Sequence, residues 1–190
     1  GWHDWEKLNL ATTLEGDFNK YNILAAVAVA ENYGVKLETI RKALEKIIVV
    51  PGRMEFVDSG QPFKVVVDYA HTPDSLEMVY SHLKKKLPEG GKLIAVFGAC
   101  GGGRDKWKRP EFGRIAAKYC DEIILTNEDP FDEDPEEIIK EIASGISQGR
   151  TFKLQTILDR QEAIAYALQV AGPNDIVVIT GKGSETSLAI

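Results

Sequence analysis

Four short stretches of this chain carry residue types that can do chemistry on a ligand. They are Asp68-Tyr69-Ala70-His71-Thr72-Pro73, Gly98-Ala99-Cys100-Gly101-Gly102-Gly103-Arg104-Asp105-Lys106, Thr126-Asn127-Glu128-Asp129-Pro130-Phe131 and Gly181-Lys182-Gly183-Ser184-Glu185. In the first, the Asp68 carboxylate can accept hydrogen bonds from ribose hydroxyls, and the His71 imidazole can stack or donate beside it. The same residues also read as a solvated turn ahead of a capped helix. In the second, the glycines let backbone approach an anion and turn N–H groups toward it, or simply form a flexible strand-to-helix turn. The loop is neither G-x-x-x-x-G-K-[ST] nor G-x-G-x-x-G, so it carries neither of those phosphate and dinucleotide signatures.

Charged residues cluster around these stretches. Arg104, Lys106, Lys108, Arg109 and Arg114 concentrate cations in an otherwise acidic chain. Arginine's planar fork suits carboxylates and phosphates, although a charge run also serves as solvated surface. Glu128, Asp129, Asp132, Glu133 and Asp134 can attract a cationic amine, or in part supply favourable charge at a helix N-terminus. Glu185 can hold an ammonium group, or join Lys182 in an ordinary ion pair. Asn19 and Asn22, three apart at a helix start, share a face. Paired amides can read a nucleobase edge or cap the helix. Cys100 has no histidine near it in sequence and reads as structural or a bystander. His3 and His82 read as surface residues, and Trp2, Trp5 and Trp107 as packing or interface residues.

These side chains can cooperate only if the elements carry their loops to one place. Residues 1–15 are polar and aperiodic. From Asn19, Ile23, Ala26, Val27 and Ala30 recur at helical spacing until Gly34, and a second helix spans Leu37 to Ile47. Pro51-Gly52 breaks the chain and sets the expected boundary between segments 1–51 and 52–190. Strands are expected at Met54–Asp58, Phe63–Asp68, Leu93–Phe97, Glu122–Thr126, Phe152–Gln155 and Ile176–Thr180. Runs such as Val65-Val66-Val67 and Ile176-Val177-Val178-Ile179 read as strands buried on both faces of a mostly parallel sheet. Helices are expected after Thr72-Pro73, near Pro110, after Asp134-Pro135 and after Asp159, with Glu162 completing a capping-box-like start. The alternation predicts a doubly wound α/β domain with a six-stranded sheet, in which ligands sit beyond the strand C-terminal ends.

Composition narrows the function classes. With 190 residues, 44% of them hydrophobic, the chain can bury a core without disulfide or metal staples. A net charge of −6 argues against a general nucleic-acid or acidic-membrane binder. Two cysteines fit a reducing compartment and no zinc site. The start at Gly1 lacks a basic stretch followed by an apolar run, so no signal peptide is expected. The longest apolar run, Ile23 to Ala30, is too short for a membrane span. The unanchored start reads as part of something longer.

In their order along the chain, these motifs resemble the Mur ligases, specifically the MurE type, the UDP-N-acetylmuramoyl-L-alanyl-D-glutamate:amino-acid ligases of peptidoglycan synthesis. The stretches that carry the resemblance are Gly16 through Ala26 (GDFNKYNILAA), Pro51-Gly52-Arg53-Met54-Glu55, Asp68 through Pro73, Gly103 through Lys106 with Lys108-Arg109-Pro110, Thr126 through Pro135, and Gly181 through Glu185. Folylpolyglutamate and cyanophycin synthetases share a similar Asp-x-Ala-His-x-Pro turn and form the sister reading, while Gly103–Pro110 favours the MurE type. A non-catalytic nucleotide-binding module is the reading from another class.

The resemblance implies a helical remnant of a central ATPase domain over 1–51 and a Rossmann-like amino-acid-binding domain over 52–190. It implies ATP and Mg²⁺ as cofactors, with the Mg²⁺ ligands mostly outside this chain, and a bacterial cytoplasmic location. The implied partners are UDP-N-acetylmuramoyl-dipeptide, an amino acid, and the N-terminal and central domains that these 190 residues do not include. No nucleic acid or membrane is implied. By motif position, Asn19, Asn22, Arg53, Asp68 and His71 would serve the nucleotide, and Arg104, Glu128, Asp129, Phe131, Gly181 and Glu185 the amino acid. No catalytic residue or metal ligand is assigned. Two departures stand out. Diaminopimelate-adding members carry Asp-Asn-Pro-Arg where this chain has Glu128-Asp129-Pro130-Phe131, and Ser184 replaces a usual histidine. Phe131 cannot clamp a distal carboxylate, so the expected substrate is lysine or another diamino acid. The chain alone is expected to be inactive, since it carries no Walker-type loop.

Overall fold

The computed structural model describes residues 5–146, 151–185 and 187. Six strands form one sheet in the order β1-β2-β6-β3-β4-β5. They are β1 (Glu55–Val57), β2 (Lys64–Asp68), β3 (Leu93–Phe97), β4 (Glu122–Leu125), β5 (Lys153–Thr156) and β6 (Ile176–Thr180). β1 runs antiparallel to β2 along one edge, and every other pairing is parallel. The mostly parallel α/β expectation therefore holds, with no strand end moved by more than one residue.

The β-branched runs explain the layering. Each residue of β3, β4 and β6 is buried. Alternate side chains serve opposite faces, as the two-residue strand period requires. Val66, Ala95, Ile123, Leu125 and Val178 pack under the first three crossover helices. Val65, Ile94, Val96, Ile124, Val177 and Ile179 pack with Ala163 and Ala167 of the last one.

The first three helices, α1 (Trp5–Leu8), α2 (Asp17–Asn32) and α3 (Leu37–Leu44), gather around a separate small core of Leu10, Ile23, Val27, Ile40 and Leu44. This segment departs from the sequence expectation. A one-turn helix lies in the segment read as aperiodic, and α2 begins at Asp17 rather than Asn19. α3 stops at Leu44, so Ile47 is 37% exposed instead of facing a core. Trp5 packs against this core, but Trp107 is 65% exposed. Trp2 and His3 lie outside the described residues.

The crossover helices are α4 (Pro73–Lys86), α5 (Lys108–Tyr119), α6 (Pro135–Ser144) and α7 (Arg160–Val170). Thr72 and Ser75 form a reciprocal capping box at the start of α4, with Pro73 at the first position. α5 begins two residues before Pro110, which a first turn tolerates because its N–H needs no partner there. Asp159 accepts from the Glu162 backbone N–H at 2.9 Å, so the side-chain cap of α7 forms. α5 and α6 meet through glycine: a Cβ at Gly113 would lie 2.0 Å from the Ile142 carbonyl oxygen, and one at Gly145 1.7 Å from that of Pro110. No helix among the described residues is long and apolar enough to cross a membrane.

Register decides where the loops emerge. Asp68 pairs with Thr180, Val96 with Ile179, and Phe97 with Leu125. The C-terminal ends of β2, β6, β3 and β4 are therefore level. The four chemistry-bearing stretches leave the sheet along one rim.

Candidate functional site

At one end of this rim a cleft of about 270 Å³ opens beside β2 and α4. Phe18, Met78 and Val79 give it apolar walls, and Asn22, Arg53, Asp68, Tyr69 and His71 supply polar and aromatic groups. Asp68 is 5% exposed, and both carboxylate oxygens are engaged. Oδ2 accepts from the Met54 N–H and Oδ1 from the Ala70 N–H, each at 2.8 Å. Burial pushes its pKa up, against those two backbone bonds and the nearby Arg53. Asp68 thus fixes the Gly52–Met54 turn, where Gly52 and Met54 have φ of 67° and 45°.

That turn places Arg53. Its guanidinium carbon sits 4.4 Å from the Tyr69 ring centroid, and the His71 ring meets the same tyrosine edge-on at 4.6 Å. His71 Nδ1 also lies 3.1 Å from the Tyr69 carbonyl oxygen. The sequence reading missed Tyr69, which joins the two predicted residues. Its only signal was its place between Asp68 and His71. Four of the five nucleotide candidates therefore line one cleft. Asn19 does not. It is 5% exposed, donates Nδ2 to the Glu15 carbonyl at 2.6 Å, and accepts from Asn22 Nδ2 at 3.2 Å. It orders the start of α2 and holds Asn22. Apolar walls, an amide, a guanidinium and an imidazole suit a heterocycle that bears anionic groups.

Further along the rim, the glycine loop after β3 and the acidic loop after β4 lie against each other. The Gly101 N–H donates to the Asp129 carbonyl at 2.8 Å. A Cβ at Gly101 would sit 2.0 Å from the Pro130 carbonyl oxygen, and one at Gly102 2.9 Å from the Phe131 ring. The expected cationic cluster is largely spent on the protein itself. Arg109 is 1% exposed and reaches Glu133 and Glu141 at 3.0 and 2.7 Å. Lys106 pairs with Glu133 and Arg114 with Glu111, each at 2.8 Å. The Arg109 and Lys106 bonds pull the Glu133 carboxyl down to about 2. Arg104 stays exposed.

The acidic candidates divide in the same way. Glu128 is 3% exposed, too deep for a surface attractor. Its Oε1 accepts from the Cys100 thiol at 3.3 Å, while Oε2 is buried without a hydrogen bond. Burial pushes the Glu128 carboxyl up, opposed chiefly by Arg160. Gly181, at φ 93°, crosses directly over it, where a Cβ would lie 2.0 Å from Glu128 Oε2. Asp129 pairs with Lys182 at 2.8 Å, and Asp134 caps α6. Phe131 is 47% exposed at φ 53°. Exposed Glu185 accepts from the Gly183 N–H at 2.6 Å.

Two buried supports escaped the sequence reading. Arg160 is 7% exposed and donates to the Thr180 carbonyl at 2.9 Å, and the Tyr80 hydroxyl lies 3.0 Å from Thr180 Oγ1. In sequence, Arg160 is marked only by following Asp159, and Tyr80 only by lying in the helix after Thr72-Pro73. Cys100 is pushed up to about 12 by burial and by Glu128, which keeps it a thiol. No group of three or more His, Cys, Asp or Glu residues that could hold a metal occurs among the described residues.

Comparison with known proteins matches this geometry to a family. Residues 52–183 fit the family model described as Mur ligase, glutamate ligase domain. The chain is 44% identical over 182 residues to the UDP-N-acetylmuramoyl-L-alanyl-D-glutamate--2,6-diaminopimelate ligase of Bacillus cereus, covering 96% of this chain and 36% of that protein. It is 47% identical over 180 residues to the enzyme of the same name from Aquifex aeolicus, covering 95% and 36%. A solved structure of a ligase with that name superposes with a TM-score of 0.68 at 40% identity, covering 95% of this chain and 36% of that one. A folylpolyglutamate synthase from Mycobacterium tuberculosis, complexed with ADP and AMPPCP, shares the fold at a TM-score of 0.68 and 19% identity, over 91% of this chain and 39% of that one. The chain thus spans about a third of the length of the curated relatives it matches. With its motifs in family order, its strand ends level along one rim, and a family model matching residues 52–183, the chain belongs to the Mur ligases.

Proposed function

We propose that this chain is the C-terminal part of an ATP-dependent amide ligase that adds an amino acid to UDP-N-acetylmuramoyl-dipeptide in the bacterial cytoplasm. The observation that carries the reading is the shared rim. The cleft of Asn22, Arg53, Asp68 and His71 opens on the same sheet edge as Arg104, Asp129, Phe131, Gly181 and Glu185. In this reading residues 1–51 go with a central ATPase domain, and 52–190 form the amino-acid-binding domain. ATP phosphorylates the substrate carboxylate to an acyl phosphate. The amino acid's amine then attacks, and the tetrahedral intermediate releases phosphate to leave the amide.

The cleft supplies groups suited to the nucleotide, with Arg53 as a cation near its phosphates and Asn22 as an amide for its base. The described residues do not assemble a carboxylate set for Mg²⁺. In the amino-acid pocket, Arg104 serves the α-carboxylate and Glu185 the α-ammonium group. Glu128 acts from beneath, as a support for Gly181.

The relatives are named for 2,6-diaminopimelate. In this chain Phe131 replaces the arginine that would clamp a distal carboxylate, and Arg109 and Lys182 are already ion-paired. The pocket's far end therefore suits the distal ammonium of lysine or another diamino acid. Amino-acid-dependent phosphate release by the full-length protein with UDP-muramoyl-dipeptide tests both levels. Faster turnover with lysine is expected. A clear diaminopimelate preference overturns the amino-acid assignment, and no stimulation by any amino acid overturns the ligase reading.

A further inference from the structure

Arg109 stands in the first turn of α5, nearly sealed from solvent at 1% exposure. A guanidinium so placed is costly unless partners replace water. Its partners come from three places. Nη1 donates to Glu133 Oε2 at 3.0 Å and to Glu141 Oε2 at 2.7 Å, and Nη2 donates to Glu133 Oε1 and to the Cys100 carbonyl, each at 3.1 Å. Glu133 follows β4 in the acidic loop, Cys100 opens the glycine loop after β3, and Glu141 belongs to α6. The same Glu133 takes Lys106 at 2.8 Å and the Gly103 N–H at 3.4 Å. Together with the Gly101 bond to the Asp129 carbonyl, these contacts join the two loops.

The joined parts are those that carry the proposed amino-acid pocket. Arg104 directly follows Gly103, and Asp129 and Phe131 lie on the loop that Glu133 closes. A fork donating to both Glu133 oxygens fixes orientation as well as distance, which a lysine cannot do. We propose that Arg109 is a positioning residue. It locks the glycine loop and the acidic loop into one body, so that Arg104 and the Asp129–Phe131 turn stand in place before the amino acid arrives. Preorganisation of this kind lowers the ordering cost of binding. The proposal rests on the ligase reading for the identity of the ligand, but the clamp itself is independent of it.

The test uses the full-length protein with Arg109→Lys. Because altering a buried guanidinium can block folding, Glu133→Gln is a second variant, and the exposed pair at Arg114→Ala is the control. Two readouts are needed: steady-state kinetics, and hydrogen exchange of the peptides spanning 98–106 and 126–134. Both clamp variants are expected to raise the amino-acid KM about tenfold or more with the ATP KM nearly unchanged. Exchange should quicken in both loops while the β3 and β4 strands stay protected. The Arg114 variant should do neither. Amino-acid and ATP KM rising together would reduce Arg109 to general stability and overturn the proposal, as would unaltered exchange in the two loops. If the unmodified protein shows no amino-acid-dependent turnover, it is the ligase reading that falls, and the exchange comparison still decides the clamp.

Discussion

At the scale of single residues, what a side chain is bonded to governs its role more than what type it is. Glu133 and Glu128 sit five apart in one acidic run, yet their environments push them in opposite directions. Glu133 is held down to about 2 by Arg109 and Lys106, whereas Glu128 is raised by burial. For Glu133 the folded value lies below the ordinary 4.5, so its contribution to stability is present above that value and is lost as pH falls toward 2. Urea-unfolding midpoints at pH 7, 5 and 3 should therefore fall less steeply for Glu133→Gln than for the unmodified chain. Equal slopes would mean that the ion pairs at Glu133 do not couple to folding. Two glycines offer a second comparison. Gly103, at φ 72°, has nothing within 4 Å of an added Cβ, whereas Gly181, at φ 93°, faces Glu128 Oε2 at 2.0 Å. Gly103→Ala should cost only the left-handed backbone penalty, about 1–2 kcal/mol. Gly181→Ala adds overlap with a buried carboxylate and should cost about 3 kcal/mol or more. Chemical denaturation of the two variants measures the difference, and similar losses would show that Glu128 moves aside freely.

At the scale of elements, packing and propensity can be set against each other on one helix. Gly113 lies inside α5, where intrinsic propensity favours alanine by about 1 kcal/mol. The α5–α6 contact points the other way, because a Cβ there would come within 2.0 Å of the Ile142 carbonyl oxygen. Overpacking of a tight backbone contact costs about 1–3 kcal/mol. Gly113→Ala is therefore expected to lower the thermal midpoint, and a rise would show that α6 can retreat at little cost. Capping gives a cleaner case. Asp159→Ala removes the oxygen that accepts from the Glu162 N–H and should cost about 1 kcal/mol in urea denaturation. That helix alone among α4–α7 packs on the second face of the sheet, so fraying at its start should also loosen Arg160 and the Thr180 carbonyl it holds.

At the scale of the whole molecule, function depends on surfaces brought together from distant parts of the chain. The cleft draws Phe18 and Asn22 from α2 and its remaining lining from the sheet rim and α4. Glu15 ties the two parts together through its ion pair with Lys86 and a 3.5 Å contact to His82 Nε2. The cleft is the proposed nucleotide site, but the residues here include no Walker-type loop to activate a nucleotide. The 190-residue chain alone is expected to show no ATP-dependent ligation of UDP-muramoyl-dipeptide, measured as amino-acid-dependent phosphate release. Measurable turnover would place the phosphoryl chemistry on this rim.

The linear chain was enough to specify the sheet, its mostly parallel sense and the four rim loops. Those features follow from local patterns: β-branched runs, caps at Thr72, Asp134 and Asp159, and glycine at the turns. It also determined the family, because motif order is a property of the chain. It did not reveal that Arg109 and Glu133 hold each other, that Asn19 turns inward, that Glu128 lies beneath Gly181, or that Arg160 and Tyr80 support Thr180. Those points emerged once the chain was folded. A charged side chain looks alike in sequence whether it faces a substrate or an internal partner. Which it does depends on desolvation and on contacts as much as 100 positions away, as between Tyr80 and Thr180.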